Sequence, residues 1–220
     1  MPSDAAEDRP VLLFQGDSIT DTGRQRTAAA ANHPHSLGSG YAALAASTLL
    51  GEQPERQWIC HNRGVGGDRV ADLAARWTPD ALALAPDVLS ILVGVNDYWY
   101  RRSGDPGATP AQYERRYRTL LDRTREARPD VQFVIGEPFV VPGGSAVDAQ
   151  WRDDLAPYQA AARRRAEAVG AAWVPYQSVF DDALQTAPAP YWAEDGVHPT
   201  PAGHYRMAQA WLDAFRTLAP

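Results

Sequence analysis

Apolar residues cluster in five short runs along the chain, and nearly continuous apolar runs are typical of strands buried on both faces of a sheet. Between the runs, apolar residues recur at three- and four-residue spacing, which predicts helices. The predicted strands are residues 11–15, 57–61, 88–93, 131–136 and 171–174. The predicted helices are residues 41–50, 70–77, 110–128, 154–169 and 201–218. This alternation predicts an α/β fold, with a parallel sheet covered by helices on both faces.

The last predicted helix has a clear start. Thr200 is a suitable N-cap and Pro201 suits the first helical position. The longest irregular segments, residues 101–109, 142–150 and 186–190, are interpreted as surface loops because no composition shift surrounds them. We therefore predict a single domain over residues 1–220, with residues 1–9 loosely held.

Composition excludes several classes of function. The 220 residues carry a net charge of −6, which disfavours binding to nucleic acid or to an anionic membrane surface. All 21 basic residues are arginine, so Schiff-base and P-loop lysine chemistry is excluded. Cys60 is the one cysteine, which rules out an internal disulfide and is interpreted as a buried thiol. The polar, acidic N-terminal segment predicts a cytoplasmic protein, and the sequence leaves a homo-oligomer open.

Three strands are followed by residues that could carry chemistry. In an open parallel sheet, ligands bind beyond the carboxyl ends of the strands. Ser18 follows the first run, the glycine-rich segment 62–68 follows the second, and Asn96 follows the third. Each has a simple structural explanation, because Ser, Asp and Asn are common in turns and helix caps. A glycine turn that leads into a helix also exposes backbone N–H donors, and an asparagine amide supplies another.

Near the C-terminus, Asp195 precedes His198 by three residues, with a glycine between them. That spacing lets the carboxylate accept a hydrogen bond from Nδ1–H, which leaves Nε2 available as a base. A metal site would need further ligands, and His33 and His35 lie far away in the sequence. We predict neither a metal nor an organic cofactor.

Together these residues supply the parts of an acyl-transfer site. A nucleophile needs a base, the base needs an orienting carboxylate, and the developing oxyanion needs fixed donors. Ser18, His198 and Asp195 fill the first three roles, and Gly67 and Asn96 fill the last. The Gly-x-Ser-x-Gly pattern of α/β-hydrolases does not occur in the sequence.

Four blocks of this sequence resemble those of the SGNH (GDSL) hydrolase superfamily, in the same order: Gly16-Asp17-Ser18, the segment 62–67, Gly94-x-Asn96-Asp97 and Asp195-x-x-His198. Within that superfamily, further motifs are similar to those of small bacterial acetylxylooligosaccharide esterases. These motifs lie at 17–24, 40–41, 72–77 and 198–204. The resemblance implies a three-layer, flavodoxin-like α/β/α fold with a five-stranded parallel sheet. It also implies Gly67, Asn96 and the backbone N–H of Ser18 as oxyanion donors.

The sequence departs from the family pattern at two positions. Gly66 stands before the oxyanion glycine, where the family usually has a small polar residue, so the choice between Gly66 and Gly67 stays open. Glu194 stands before the catalytic aspartate, where the acetylxylan branch has tryptophan. Aromatic residues near the site are explained equally well by core packing and by a sugar-binding wall. We predict that Asp17, Trp99 and Trp192 contact the substrate.

We predict a serine esterase that removes acetyl groups from xylose-type oligosaccharides through an acyl-serine intermediate. A lysophospholipase, a thioesterase or a general short-chain carboxylesterase would use the same three residues. A non-catalytic carbohydrate-binding protein is a further alternative, but it predicts that a member of the triad is missing. The expected partner is a small ester, with an acetylated oligosaccharide as the specific candidate.

Overall fold

In the computed structural model, which describes residues 9–28 and 30–218, the strands form one parallel sheet in the order β2-β1-β3-β4-β5. All five strand predictions are confirmed, with ends shifted by at most two residues. The prediction of a loosely held N-terminus lies, apart from Arg9, outside the described residues. The strands are β1 (Val11–Gly16), β2 (Ile59–Asn62), β3 (Val88–Leu92), β4 (Gln132–Gly136) and β5 (Ala172–Val174).

The helices connect these strands and cover the sheet on both sides. Two short 3₁₀ helices, Pro54–Arg56 and Leu82–Leu84, accompany them. The α-helices in the described part of the chain are α1 (Ser18–Asp21), α2 (Pro34–Leu37), α3 (Tyr41–Glu52), α4 (Val70–Ala75), α5 (Trp77–Asp80), α6 (Val95–Arg102), α7 (Pro110–Ala127), α8 (Gln150–Val169), α9 (Tyr176–Ala183), α10 (Ala189–Trp192) and α11 (Pro201–Phe215).

Several helix predictions need correction. The predicted helix 70–77 is interrupted at Arg76, whose ψ of 9° ends α4 before α5 begins. Helix α8 begins four residues earlier than predicted, at Gln150, with Pro157 inside it. Helices α6 and α9 were not predicted, and α6 extends into the segment interpreted as a loop from residue 101.

The helices group into two layers. Helices α3, α9 and α11 pack together, and α4, α7 and α8 form the other group. The predicted start of α11 is confirmed, because the Thr200 side chain accepts a hydrogen bond from Gly203 N–H and Pro201 follows it. Deep in this layer, the buried His204 of α11 accepts a hydrogen bond at Nδ1 from the backbone N–H of Tyr41 in α3, at 3.1 Å.

The strand order is the flavodoxin-like one, which places a crevice between β1 and β3 at their carboxyl ends. In both strands the side chains are buried on both faces, so each is apolar almost throughout. Polar residues begin where the strands end, with Asp17 and Ser18 after β1 and Asn96 in the first turn of α6 after β3. No helix in the described residues is long and apolar enough to cross a membrane.

Candidate active site

Ser18, His198 and Asp195 form one hydrogen-bonded chain. The Ser18 Oγ lies 2.8 Å from His198 Nε2, and His198 Nδ1 lies 2.6 Å from Asp195 Oδ2. Because a carboxylate can only accept, the proton of the neutral imidazole lies on Nδ1 and Nε2 accepts from the serine hydroxyl. The structure thus brings together the three residues that the sequence nominated as nucleophile, base and orienting carboxylate.

A tight turn holds Asp195 in place. Its Oδ1 accepts hydrogen bonds from the backbone N–H groups of Val197, at 2.8 Å, and His198, at 2.7 Å. Burial raises the pKa of Asp195, but the His198 ring and the two backbone donors outweigh it, so the pKa lies below its usual value. Asp195 is therefore ionised near neutral pH. It can hold the imidazole tautomer and stabilise an imidazolium.

Ser18 is the first residue of α1, directly beyond the carboxyl end of β1. Asp17 caps this helix, because its Oδ1 accepts from Ile19 N–H at 3.1 Å. The prediction that Asp17 contacts substrate is wrong, since the residue is only 1% exposed. Burial raises its pKa to about 7. Asp17 therefore shapes the turn that presents Ser18, and its position in the sequence block gave no signal of this burial.

Three N–H groups are available as oxyanion donors around Ser18. Within the described residues, the backbone N–H groups of Ser18 and Gly67 have no hydrogen-bond acceptor. The Asn96 side chain uses one amide hydrogen on the carbonyl of Asp68, at 3.1 Å, and keeps a second one. Gly67, Asn96 and Ser18 all line the same cleft. This arrangement matches the donor set that the resemblance implied.

The structure distinguishes Gly66 from Gly67 as the donor. The N–H of Gly66 donates to Asp21 Oδ2 at 3.0 Å, so this group is already occupied. Gly67 has φ +87°, a conformation that favours glycine, and nothing would lie within 4 Å of a Cβ built on it. The available N–H in this turn is that of Gly67, and Asp21 is a residue that the sequence reasoning missed. Its presence in the motif at 17–24 was the only signal.

The cleft above Ser18 has a volume of about 480 Å³. Trp99 and Tyr100 form an aromatic wall on α6, and Ser103 lies at its end. Trp99 is fixed by an edge-to-face contact with Trp151, with ring centroids 4.9 Å apart. The structure therefore places the predicted contact residue Trp99 at the cleft. It adds Tyr100, which is 46% exposed and which the sequence reasoning did not single out.

Trp192 does not take part in this wall. The residue is 8% exposed, its Nε1 donates to the carbonyl of Ala187 at 3.1 Å, and the guanidinium of Arg206 lies over its ring. Trp192 is therefore not among the residues that line this cleft, and its contact with substrate stays a prediction. Tyr98 and Phe139 are also buried, so core packing explains these rings. Sequence position alone does not give the direction of an aromatic side chain.

Two other interpretations can be compared with the structure. Cys60 is free and fully buried, and burial raises the pKa of its thiol to about 12, as expected for an unreactive cysteine. In the part of the chain that the structure describes, no three His, Cys, Asp or Glu side chains are grouped so that they could hold a metal ion.

Several known proteins are similar to this chain in sequence and fold. The model of the GDSL-like lipase/acylhydrolase family matches residues 14–206. An acetylxylan esterase from Geobacillus stearothermophilus is 34% identical over 206 residues, which cover 91% of each chain. A crystal structure of that enzyme superimposes with a TM-score of 0.84 at 32% identity, covering 93% of both chains. Catalytic mutants of the same enzyme replace a serine or an aspartate by alanine.

Two further solved structures are similar to this chain. A candidate GDSL-like lipase from Parabacteroides merdae has a TM-score of 0.91 at 42% identity, covering 94% of this chain and 95% of the other. An α/β hydrolase enzyme from the metagenome of Lake Arreo, Spain, has a TM-score of 0.85 at 33% identity, covering 96% and 97% of the two chains.

Proposed function

The chain belongs to the GDSL-like lipase/acylhydrolase family and is a carboxylic ester hydrolase, and we propose that it removes acetyl groups from short xylose-type oligosaccharides. The observation that carries the proposal is the chain from Asp195 through His198 to Ser18, which opens into a cleft with three available N–H donors. The acetylated sugar as substrate is supported by the similarity to the Geobacillus acetylxylan esterase.

In the proposed first step, His198 Nε2 takes the hydroxyl proton of Ser18 as Oγ attacks the ester carbonyl. The oxyanion accepts hydrogen bonds from Ser18 N–H, Gly67 N–H and the Asn96 side chain, each worth about 3 to 4 kcal/mol in the transition state. Asp195 stabilises the imidazolium, which then donates its proton to the departing sugar oxygen, so that the sugar leaves with a free hydroxyl group. The C–O bond to the sugar breaks, and an acetyl-serine remains.

In the second step, His198 takes a proton from water as the water oxygen attacks the acetyl-serine. The same three donors hold the second oxyanion, and the imidazolium returns the proton to Ser18 Oγ as acetic acid leaves. Every proton in this cycle moves through His198 Nε2, which already lies at hydrogen-bond distance from Ser18.

Trp99 and Tyr100 supply the proposed sugar contact. Their rings form the apolar wall of the cleft, and such a wall can pack against the apolar face of a sugar ring. A neutral sugar needs no charge attraction, which suits a chain with a net charge of −6. The cleft volume of about 480 Å³ is within the ordinary range for small-molecule sites.

A rate panel tests the proposal. Purified enzyme is assayed on p-nitrophenyl acetate, butyrate, octanoate and palmitate, and on acetylated xylooligosaccharides with acetate release as the readout. We expect acetate esters to be cleaved at least about tenfold faster than butyrate esters, because added methylenes overpack a small acyl site. The Ser18→Ala variant gives the uncatalysed background.

The same panel separates the remaining substrate classes. Faster cleavage of octanoate or palmitate would favour a lipid-ester or thioester substrate, and lysophosphatidylcholine and palmitoyl-CoA would then be assayed directly. Cleavage of p-nitrophenyl acetate without acetate release from any acetylated sugar would leave a general short-chain carboxylesterase. Either result contradicts the proposed substrate while keeping the same three catalytic side chains.

A further inference from the structure

The turn that carries Gly67 is held at its tip by one carboxylate. Asp21 Oδ2 accepts from Gly66 N–H at 3.0 Å and from Arg26 Nη2 at 2.6 Å, with Arg26 Nε at 3.2 Å. The ends of the turn have other anchors, since Val65 N–H donates to Gly16 O and Asp68 N–H to Val65 O. Asp21 is the acceptor of the Gly66 N–H, and the carbonyl of the same peptide accepts from Asp68 N–H within the turn itself.

The backbone freedom of two consecutive glycines explains why the hydrogen bond to Asp21 matters. Gly66 and Gly67 have no side chains to pack, and a Cβ on Gly67 would meet nothing within 4 Å. Two consecutive glycines have many accessible backbone conformations, so the direction of the Gly67 N–H is not fixed by the residues themselves. A charged acceptor gives a stronger hydrogen bond than a neutral one, and Asp21 supplies it to the adjacent peptide.

Asp21 also belongs to the element that carries the nucleophile. Helix α1 begins at Ser18 and ends at Asp21, so one turn of helix presents both the attacking oxygen and the carboxylate. Helix α1 and the turn that carries Gly67 pack closely at Gly64, where a Cβ would lie 2.5 Å from the Asp21 backbone nitrogen. The hydrogen bond from Gly66 N–H to Asp21 therefore joins the helix that carries Ser18 to the turn that carries the donor.

Arg26 completes the arrangement at the rim of the cleft. Its side chain is 53% exposed, whereas that of Asp21 is 13% exposed. A Cβ on Gly66 would lie 3.5 Å from Arg26 Nη2, 3.6 Å from Ser18 Cβ and 3.7 Å from Asp21 Oδ2. The guanidinium, the carboxylate and the nucleophile thus converge on one point above Gly66.

We propose that Asp21 and Arg26 are a positioning pair, in which Arg26 orients the Asp21 carboxylate and Asp21 aims the Gly67 N–H at the oxyanion. The inference rests on the proposed esterase function of Ser18. In this arrangement neither side chain contacts the ester. Their loss should weaken the transition state while leaving ground-state binding of the substrate unchanged.

The test compares three variants on p-nitrophenyl acetate. Asp21→Asn removes the charge that pairs with Arg26 and, at 3.6 Å, with the buried Arg24. We expect kcat to fall by about 10- to 100-fold with KM unchanged, the size of effect that misplaced catalytic geometry produces. Arg26→Gln should lower kcat by about 3- to 5-fold, as expected for a partly exposed ion pair. Arg26→Lys, which keeps the positive charge, should restore part of that loss.

Asp87→Asn is the matched control. Asp87 also accepts from a backbone N–H, that of Val11 at 2.8 Å, and pairs with an arginine, Arg128 at 2.9 Å. It lies at the amino end of β3, whereas Ser18 lies beyond the carboxyl end of β1. Asp87→Asn should therefore keep kcat and KM, even if both this variant and Asp21→Asn lower the melting temperature.

Phenylboronic acid gives a second readout, because its adduct with a serine Oγ is a tetrahedral boronate anion that places an oxygen where the oxyanion of the ester reaction would lie. In Asp21→Asn and Arg26→Gln, the inhibition constant should rise by the same factor as kcat falls. The inference is overturned if wild-type enzyme cleaves acetate esters but both variants match Asp87→Asn, or if they lose kcat without losing boronate affinity. Should Asp21→Asn not fold, Arg26→Gln decides, and a wild-type enzyme inactive on every ester contradicts the proposed function itself.

Discussion

Ser18 Oγ and His198 Nε2 lie 2.8 Å apart, although 180 residues separate them in the chain. The carboxyl end of β1 supplies the serine, and the turn before α11 supplies the histidine. The fold therefore brings a nucleophile from near one end of the chain to a base from near the other.

Replacing Ser18 by alanine should lower kcat for p-nitrophenyl acetate by about 10⁴-fold or more, because no nucleophile remains. The melting temperature should stay nearly unchanged, since the side chain is small and half-buried. Steady-state kinetics and thermal unfolding measure the two quantities.

A serine-directed sulfonyl fluoride checks the same assignment independently. It should label one peptide, the one that contains Ser18. Ser47→Ala, at an exposed position of α3, is the control and should keep full activity and full labelling. Activity that survives in Ser18→Ala, or labelling at another residue, would contradict the assignment of the nucleophile.

Replacing Asn96 by alanine should reduce kcat by about 10²- to 10³-fold with little change in KM, because its free amide hydrogen binds the oxyanion mainly in the transition state. Asn96→Asp keeps the shape but removes the donor, so it should be at least as impaired. Kinetics on p-nitrophenyl acetate measure both. A change confined to KM would make Asn96 a substrate-binding residue instead.

Much of this fold could be predicted from local patterns. The central strands β1 and β3 are buried on both faces, so their apolar runs marked them almost to the residue. Helix α6 could not be predicted in this way, because its sequence is polar and aromatic and only Val95, Asp97 and Tyr98 are buried. It begins directly after the carboxyl end of β3, where Gly94, at φ +140°, redirects the chain.

The contacts of the candidate site could likewise be predicted only where they are local in the sequence. Asp195 and His198 interact within one turn, so their spacing in the sequence was enough to predict the pair. The hydrogen bond between Asp21 and Gly66 joins two segments 45 residues apart, and no local pattern indicates it. The orientation of Trp192 likewise depends on packing against α11.

Asp97 should make the protein less stable at pH 8 than at pH 5. Burial raises its pKa to about 7 from 3.8. The hydrogen bond from Val70 N–H and the charge of Arg69 lower this pKa, and Asp17 and Asp72 raise it, each by less than burial does. Between about pH 5 and pH 7 the folded state holds a proton that the unfolded state has lost, and above its pKa the folded state loses it as well. As pH rises from 5 to 8, this one group should therefore reduce the free energy of unfolding by about 2 to 3 kcal/mol.

The variant Asp97→Asn tests this effect, because its amide does not ionise. Urea unfolding at pH 5 and pH 8 should show the variant gaining stability relative to wild type as pH rises. The exposed Asp130→Asn is the control and should give the same difference from wild type at both pH values. If Asp97→Asn also gave a constant difference, the carboxyl of Asp97 would not be the source of the pH dependence.

The last prediction concerns the aromatic wall and tests the substrate class directly. Trp99→Leu should lower kcat/KM for acetylated xylooligosaccharides by about 3- to 10-fold, because it removes the flat surface against which a sugar ring packs. Ethyl acetate has no ring, so its hydrolysis should change much less.

Tyr191→Leu removes the ring of a residue that is 57% exposed but outside the cleft, and Trp192→Phe alters the buried ring. Both controls should leave the ratio of the two rates unchanged. An equal loss on both substrates in Trp99→Leu would mean that Trp99 supports the cleft without contacting sugar. A change of the ratio in Trp192→Phe would return that residue to the substrate site.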